Sequence, residues 1–130
     1  MHKYFKAIFF LLLLCVVSSF MPRDESMQVF SRTVKEMGYD DISETPFEVE
    51  EFTIPEVFND VYFRYNELLK TAGYDLTPYR GKVCKRYTYL IPSENARANI
   101  LVYEGEIIGG DISGITLDSI MIPIKKKVEE

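Results

Sequence analysis

Residues 85–112 read KRYTYLIPSENARANILVYEGEIIGGDI, and this stretch decides the fold. From Val83 to Ile91 the run is rich in β-branched and aromatic residues and carries neither Gly nor Pro. Such residues suit a pleated surface packed against cross-strand neighbours. With a period of two, Val83, Lys85, Tyr87, Tyr89 and Ile91 share one face, and Cys84, Arg86, Thr88 and Leu90 the other. Pro92-Ser93-Glu94-Asn95 has the composition of a turn and stops the strand. A second run alternates Ala98, Ile100 and Val102 against Asn99, Leu101 and Tyr103. Glu104-Gly105 then offers a two-residue hairpin, and Glu106 to Ile112 returns as a third strand. The pattern predicts an antiparallel meander.

Gly109-Gly110-Asp111 interrupts that third strand. One explanation is a bulge, or a crowded spot where a helix or ring lies over bare backbone. The other is a peptide surface left open to a ligand, with Asp111 beside it. A Gly pair alone has little specificity, which favours packing.

Upstream lie the helices that would cover the sheet. Ser26 to Met37 places Met27, Phe30, Val34 and Met37 at helical spacing, with Gly38 as a C-terminal stop. Phe47 to Thr53 is a strand candidate whose alternation slips at Glu50-Glu51, which predicts a bulge, and whose charge suits a sheet edge. A second helix is expected from Pro55, with Val57, Val61, Tyr65, Leu68 and Ala72 along one face and Gly73 as its end. Both helices close on Gly-Tyr-Asp, at residues 38–40 and 73–75. A duplication would explain this, and so would two left-handed caps whose aromatic packs back on the last turn. Leu76 to Gly81 reads as a loop, and Ile115 to Ile124 as a last strand or an extended tail holding Pro123. The expected class is α+β: a meander of three to four strands with two helices packed on one face, after an N-terminal hydrophobic helix.

That N-terminal segment, Tyr4 to Met21, is one apolar block preceded by His2 and Lys3 and containing Lys6. A basic start followed by AIFFLLLLCVV is the pattern of a segment entering the export pathway, with the basic flank left in the cytoplasm. Val17-Ser18-Ser19 would allow cleavage after Ser19. Left uncut, the segment spans roughly 27 Å as a helix, close to the roughly 30 Å of membrane hydrocarbon. Residues 1–21 are thus a signal peptide or membrane anchor, and residues 22–130 one small domain. Its location is expected outside the cytoplasm, anchored by residues 4–21 or secreted.

Charge narrows the function. All 20 Asp and Glu follow Met21, whereas two of the 15 Lys and Arg, Lys3 and Lys6, precede it. A net acidic domain argues against nucleic acid as a partner. Nine carboxylates and no Lys or Arg lie between Glu36 and Asp60, and four bases and no acid between Arg80 and Arg86. If the two segments are neighbours, Glu48 and Glu50 meet Lys82, Lys85 or Arg86. A cation or a basic partner at the acidic stretch is the rival explanation, although the ordered spacing of a calcium loop is missing.

Several pieces of this chain resemble one family. They are Ile54-Pro55, Phe58, Tyr62, Tyr65, Leu68, Gly73-Tyr74-Asp75-Leu76, Tyr79, Gly81-Lys82, Lys85-Arg86-Tyr87-Thr88-Tyr89, and then Ala98-Asn99, Leu101-Val102-Tyr103, Gly105, Ile107 to Ile112 and Asp118. Over about Val29 to Asp118 the chain is similar to the domain-of-unknown-function family 4830, small bacterial proteins with a short hydrophobic N-terminal segment and one small domain. Arg-Tyr-Thr-Tyr and Ile-Gly-Gly-Asp are its most specific parts. The resemblance implies an exported or membrane-anchored domain and brings no catalytic residues with it.

The chemistry available is limited. His2 is the one His of the chain and lies in the export segment, so the domain lacks Ser-His and Cys-His pairs and His-ligated metal sites. With Cys15 in the apolar block, Cys84 is the domain's one thiol, and no internal disulfide forms there. No cofactor, metal or catalytic residue is expected. The leading expectation is a non-catalytic binding or accessory module meeting an envelope protein or peptide. Its candidate surface is Arg86, Tyr87, Tyr89, Asn99 and Tyr103, with Gly109, Gly110 and Asp111; core burial of half the tyrosines is the competing account. A small-ligand or cation sensor using Asp40 to Glu51 or Asp111 is the alternative. The residues leave oligomeric state open.

Overall fold

The computed structural model describes residues 25–116 and 120–126. The expected hydrophobic helix over residues 4–21 lies outside them, as do Asp118 and the last four residues. Among the described residues, no helix is long and apolar enough to cross a membrane.

The run read as the first meander strand is Val83–Ile91 (β2), followed by Ala96–Tyr103 (β3) and Glu106–Gly114 (β4). Glu48–Thr53 (β1) and Met121–Pro123 (β5) complete the sheet. Its five strands run in the order β1-β2-β3-β4-β5, every neighbour antiparallel. Three to four strands were expected; both outer candidates join, and Pro123 is accommodated because it sits on an edge. The hairpin at Glu104-Gly105 has φ of 48° and 81°, a turn whose twist matches its strands.

The helices are Glu25–Lys35 (α1) and Asp60–Lys70 (α2). They lie on opposite faces of the sheet, not on one. Tyr87, Tyr89 and Ile91 pair with Ile100, Ala98 and Ala96, and Ala98 pairs with Ile112, all on the first face. Here α1 packs: the Phe30 and Tyr87 ring centroids are 5.1 Å apart, and the Tyr89 hydroxyl donates to the Met27 carbonyl at 2.7 Å. The second face carries Cys84, Arg86 and Thr88 with Leu101, Asn99, Gly109 and Asp111. Leu69 of α2 reaches this face at Gly109, where an added Cβ would stand 2.7 Å from Leu69 Cδ1. The reason for two-sided cover is in the strands: Cys84 and Leu101 are apolar, buried, and of opposite parity to Tyr87 and Ile100.

Two further expectations change. α2 starts at Asp60 rather than Pro55, because the Asn59 side chain accepts from the Tyr62 N–H at 2.9 Å and caps it. Val57 and Val61 are therefore exposed, while Asn66 and Leu69 are the residues α2 buries. The bulge expected in β1 is not there, since Glu48–Thr53 pairs Thr88–Val83 without a break. Val49 and Phe52 simply serve opposite faces, and β1 is an edge as expected. The register instead shifts between Leu101 and Val102, where Val102 pairs Ile107 and Leu101 pairs Gly109.

Both Gly-Tyr-Asp pieces act as helix stops. Gly38 and Gly73 take φ of 105° and 96°, and Tyr74 is buried behind its helix end while Tyr39 packs on the core. After α2, buried Asn66 holds the loop. It accepts from the Leu76 N–H at 2.7 Å and donates to Asp75 Oδ1 at 3.0 Å.

Candidate functional site

Register builds the site. Thr88 of β2, Asn99 of β3 and Asp111 of β4 stand opposite one another across the second face. Ser113 follows Asp111 on the same side of its strand, and Tyr65 reaches over from α2. Asp111 is only 3 % exposed, and a buried carboxylate is costly unless donors surround it. They do. Asp111 Oδ1 accepts from the Tyr65 hydroxyl at 2.7 Å, and Oδ2 accepts from Asn99 Nδ2 at 3.2 Å and from the Ser113 hydroxyl. Asn99 Oδ1 in turn accepts from Thr88 Oγ1 at 2.9 Å. Among the described residues, no buried side-chain nitrogen or oxygen is left without a partner.

Burial, and then the negative charge of Asp111, push the Tyr65 hydroxyl well above the ordinary tyrosine range. Tyr65 is held as a proton donor. The hydroxyl and amide protons of Tyr65, Ser113, Asn99 and Thr88 are thus directed into bonds within the network.

Two hollows open over this network, which is their floor. One, of about 250 Å³, is lined by Phe52, Val61, Tyr62, Tyr65, Leu101 and Met121, and reaches Asp111. The other, of about 390 Å³, is polar and lined by Glu48, Thr88, Arg97 and Ser113. Arg86 and Asn99 line both, so the hollows form one groove with an apolar and a polar end. Arg86 is steadied by its ion pair with Glu50 and lies 5.8 Å from the Phe52 ring centroid. The expected meeting of the acidic and basic segments thus occurs at Glu50 and Arg86.

Of the surface residues expected, the structure brings Arg86, Asn99 and Asp111 together. Tyr87 and Tyr89 are corrected: both are buried on the opposite face under α1, where Tyr89 meets its hydrogen-bonding need through Met27. Tyr103 is half-buried near the hairpin, edge-on to Tyr79 with centroids 5.5 Å apart. Gly109 lies under Leu69, and a Cβ at Gly110 would stand 2.3 Å from the Asn99 carbonyl oxygen. Their bareness serves packing. Thr88 and Ser113 were legible in principle by parity with Asn99 and Asp111, whereas nothing local marks Tyr65 as their partner.

The acidic segment is dispersed. Asp41 Oδ2 accepts from the Ser93 N–H at 2.6 Å and Oδ1 from the Ser93 hydroxyl at 2.7 Å, which holds the carboxyl below its ordinary range. Among the described residues, no group of three His, Cys, Asp or Glu is placed to hold a metal ion. Cys84 is buried, which raises its thiol pKa.

Compared with known proteins, no curated protein and no solved structure matches this chain. One family model matches residues 35–112, described as a domain of unknown function, DUF4830. The match starts at the last residue of α1, takes in β1, α2, β2 and β3, and ends just past Asp111, so it contains the groove floor except Ser113. The chain belongs to the DUF4830 family.

Proposed function

We propose that this domain is a non-catalytic binding or accessory module of the cell envelope, held outside the cytoplasm by the apolar segment at residues 4–21, and that its partner is a protein that seats a side chain in the second-face groove. One observation carries this: above a floor whose polar atoms are all satisfied, Val61 and Met121 stand 73 % and 43 % exposed at the groove's apolar end. Exposed apolar side chains rimming a polar-floored hollow are what a partner covers. The apolar end by itself holds about 250 Å³, short of the roughly 300–1,000 Å³ of ordinary ligand pockets, so it would take one side chain while the polar end meets the flanking part of the partner. Arg86 and Asn99, at the junction of the two ends, would fix the orientation of what enters.

The test is site-specific photo-cross-linking of the full-length protein in its native membranes. A photoreactive residue is placed at Val61, at Met121, and at Phe63, which is exposed but lines no part of the groove. One protein captured from both rim positions and not from Phe63, and lost in an Arg86→Glu variant, is the expected result. Equal capture from Phe63, or none from either rim position, would overturn it.

A further inference from the structure

We propose that the open edge of β1 takes up an extended basic peptide as an added strand. This goes beyond the groove, since it uses backbone groups along the sheet edge rather than the second face. β1 ends the strand order, so only its inner side is paired. Just past its end, the Ile54 N–H donates to the Lys82 carbonyl at 3.0 Å, in step with the pairs from Glu48–Thr88 to Thr53–Val83. Antiparallel ladders alternate, so residues 48, 50 and 52 bond inward, and Val49, Glu51 and Thr53 turn their N–H and C=O groups outward. Among the described residues no backbone partner meets these three on the open side.

Charge selects the occupant. Glu48, Glu50 and Glu51 are exposed on β1, Glu48 and Glu50 on one face and Glu51 with Val49 on the other, and of the three only Glu50 is ion-paired among the described residues. A second copy of β1 would set these carboxylates against their like, whereas Lys or Arg in the added strand would meet opposite charge. The same side chains thereby repel self-pairing and admit a basic partner. Apolar cover is also wanted, for Phe47 and Val49 are 62 % and 46 % exposed. A segment alternating basic residues toward the Glu48–Glu50 face with apolar ones toward the Val49 face answers both demands, with main-chain bonds giving affinity and alternate side chains specificity.

The test follows amide hydrogen exchange in the full chain. The probe is a peptide of alternating Lys and Val, about ten residues long, with an alternating Glu–Val peptide as comparison. The Lys–Val peptide is expected to slow exchange at Val49, Glu51 and Thr53, less so at about 1 M salt, where charges are screened within about 3 Å. Glu48→Lys, an exposed change on the face that the lysines would meet, should weaken binding roughly fivefold. Val49→Pro, which removes an outward N–H and no inward bond, should abolish it. Unchanged exchange at the three amides, equal slowing by the Glu–Val peptide, or slowing that grows with protein concentration without peptide would each overturn the proposal, the last in favour of self-pairing.

Discussion

The Tyr65 hydroxyl donates to Asp111 Oδ1 at 2.7 Å across 46 residues of sequence, and this bond fastens α2 to β4. Tyr65→Phe keeps the ring and removes the donor, so one oxygen of a buried carboxylate loses its partner. A cost of about 1–3 kcal/mol is expected, read as a lower urea midpoint with unchanged slope. An unchanged midpoint would mean that water enters and replaces the hydroxyl.

The same residue sets an alkaline limit. Its folded pKa is raised, chiefly by burial and then by Asp111, while in the unfolded chain tyrosine titrates near about 10. The unfolded state therefore loses the proton first. The stabilisation is complete below about pH 10 and declines as pH rises above it. Urea midpoints from neutral pH upward should fall more steeply in the wild type than in Tyr65→Phe. Some slope should persist in that variant, because burial also raises the Tyr74 pKa.

At the acid end the loop after α2 is the responsive part. Hydrogen bonds from Thr77 and then Asn66 lower the Asp75 pKa from 3.8 to about 2. A lowered folded pKa gives stability that is present above about pH 4 and lost as pH falls toward about 2. Asp75 is largely open to solvent, so the effect is modest. The expected outcome is a shallower acid slope of the urea midpoint in Asp75→Asn. The residual slope includes Asp41, which Ser93 also holds low.

Gly109 and Leu69 test how closely α2 lies on the sheet. With only 2.7 Å between an added Cβ and Leu69 Cδ1, Gly109→Ala should cost about 1–3 kcal/mol by overpacking. Leu69→Ala alone opens a cavity and should cost about 2–5 kcal/mol. Because each change relieves the other, the double variant should be less destabilised than the sum, with a coupling of about 0.5 kcal/mol or more. Strict additivity in denaturant titrations would show that the helix shifts freely.

The sheet was legible where short-range chemistry specifies it. β-branched alternation marks β2 and β3, and Glu104-Gly105 marks their continuation into β4. The start of α2 was misplaced because Val57 and Phe58 extend the apolar pattern before the cap at Asn59, and side-chain periodicity outweighed that single polar signal. The faces of the sheet were harder still. A straight hairpin continuing the Tyr103–Glu106 and Val102–Ile107 pairs would set Asp111 opposite Ala98, on the apolar face. The bulge sets it opposite Asn99 instead. Since one residue of slip exchanges the two faces, the groove floor forms in this chain because Ile108 is bulged out of the ladder, and the Gly109-Gly110 pair beside it is the one local sign of such a bulge.

Deleting Ile108 tests this account. Removing the extra residue would bring Gly109 next to Ile107 and leave the pairs Leu101–Gly109 and Asn99–Asp111 as they are. The chain should still fold cooperatively, with Asp111 beneath Tyr65. The loss is the buried Ile108 side chain, about 2–5 kcal/mol by analogy with truncating a core isoleucine. Ile108→Val, which keeps the bulge, should cost about 0.5–1.5 kcal/mol. The deciding measurement is Tyr65→Phe made in the deletion background. If it still lowers the urea midpoint as in the wild type, Asp111 has kept its face. If it is neutral there, the carboxylate has moved away from α2, and the bulge does more than take up one residue.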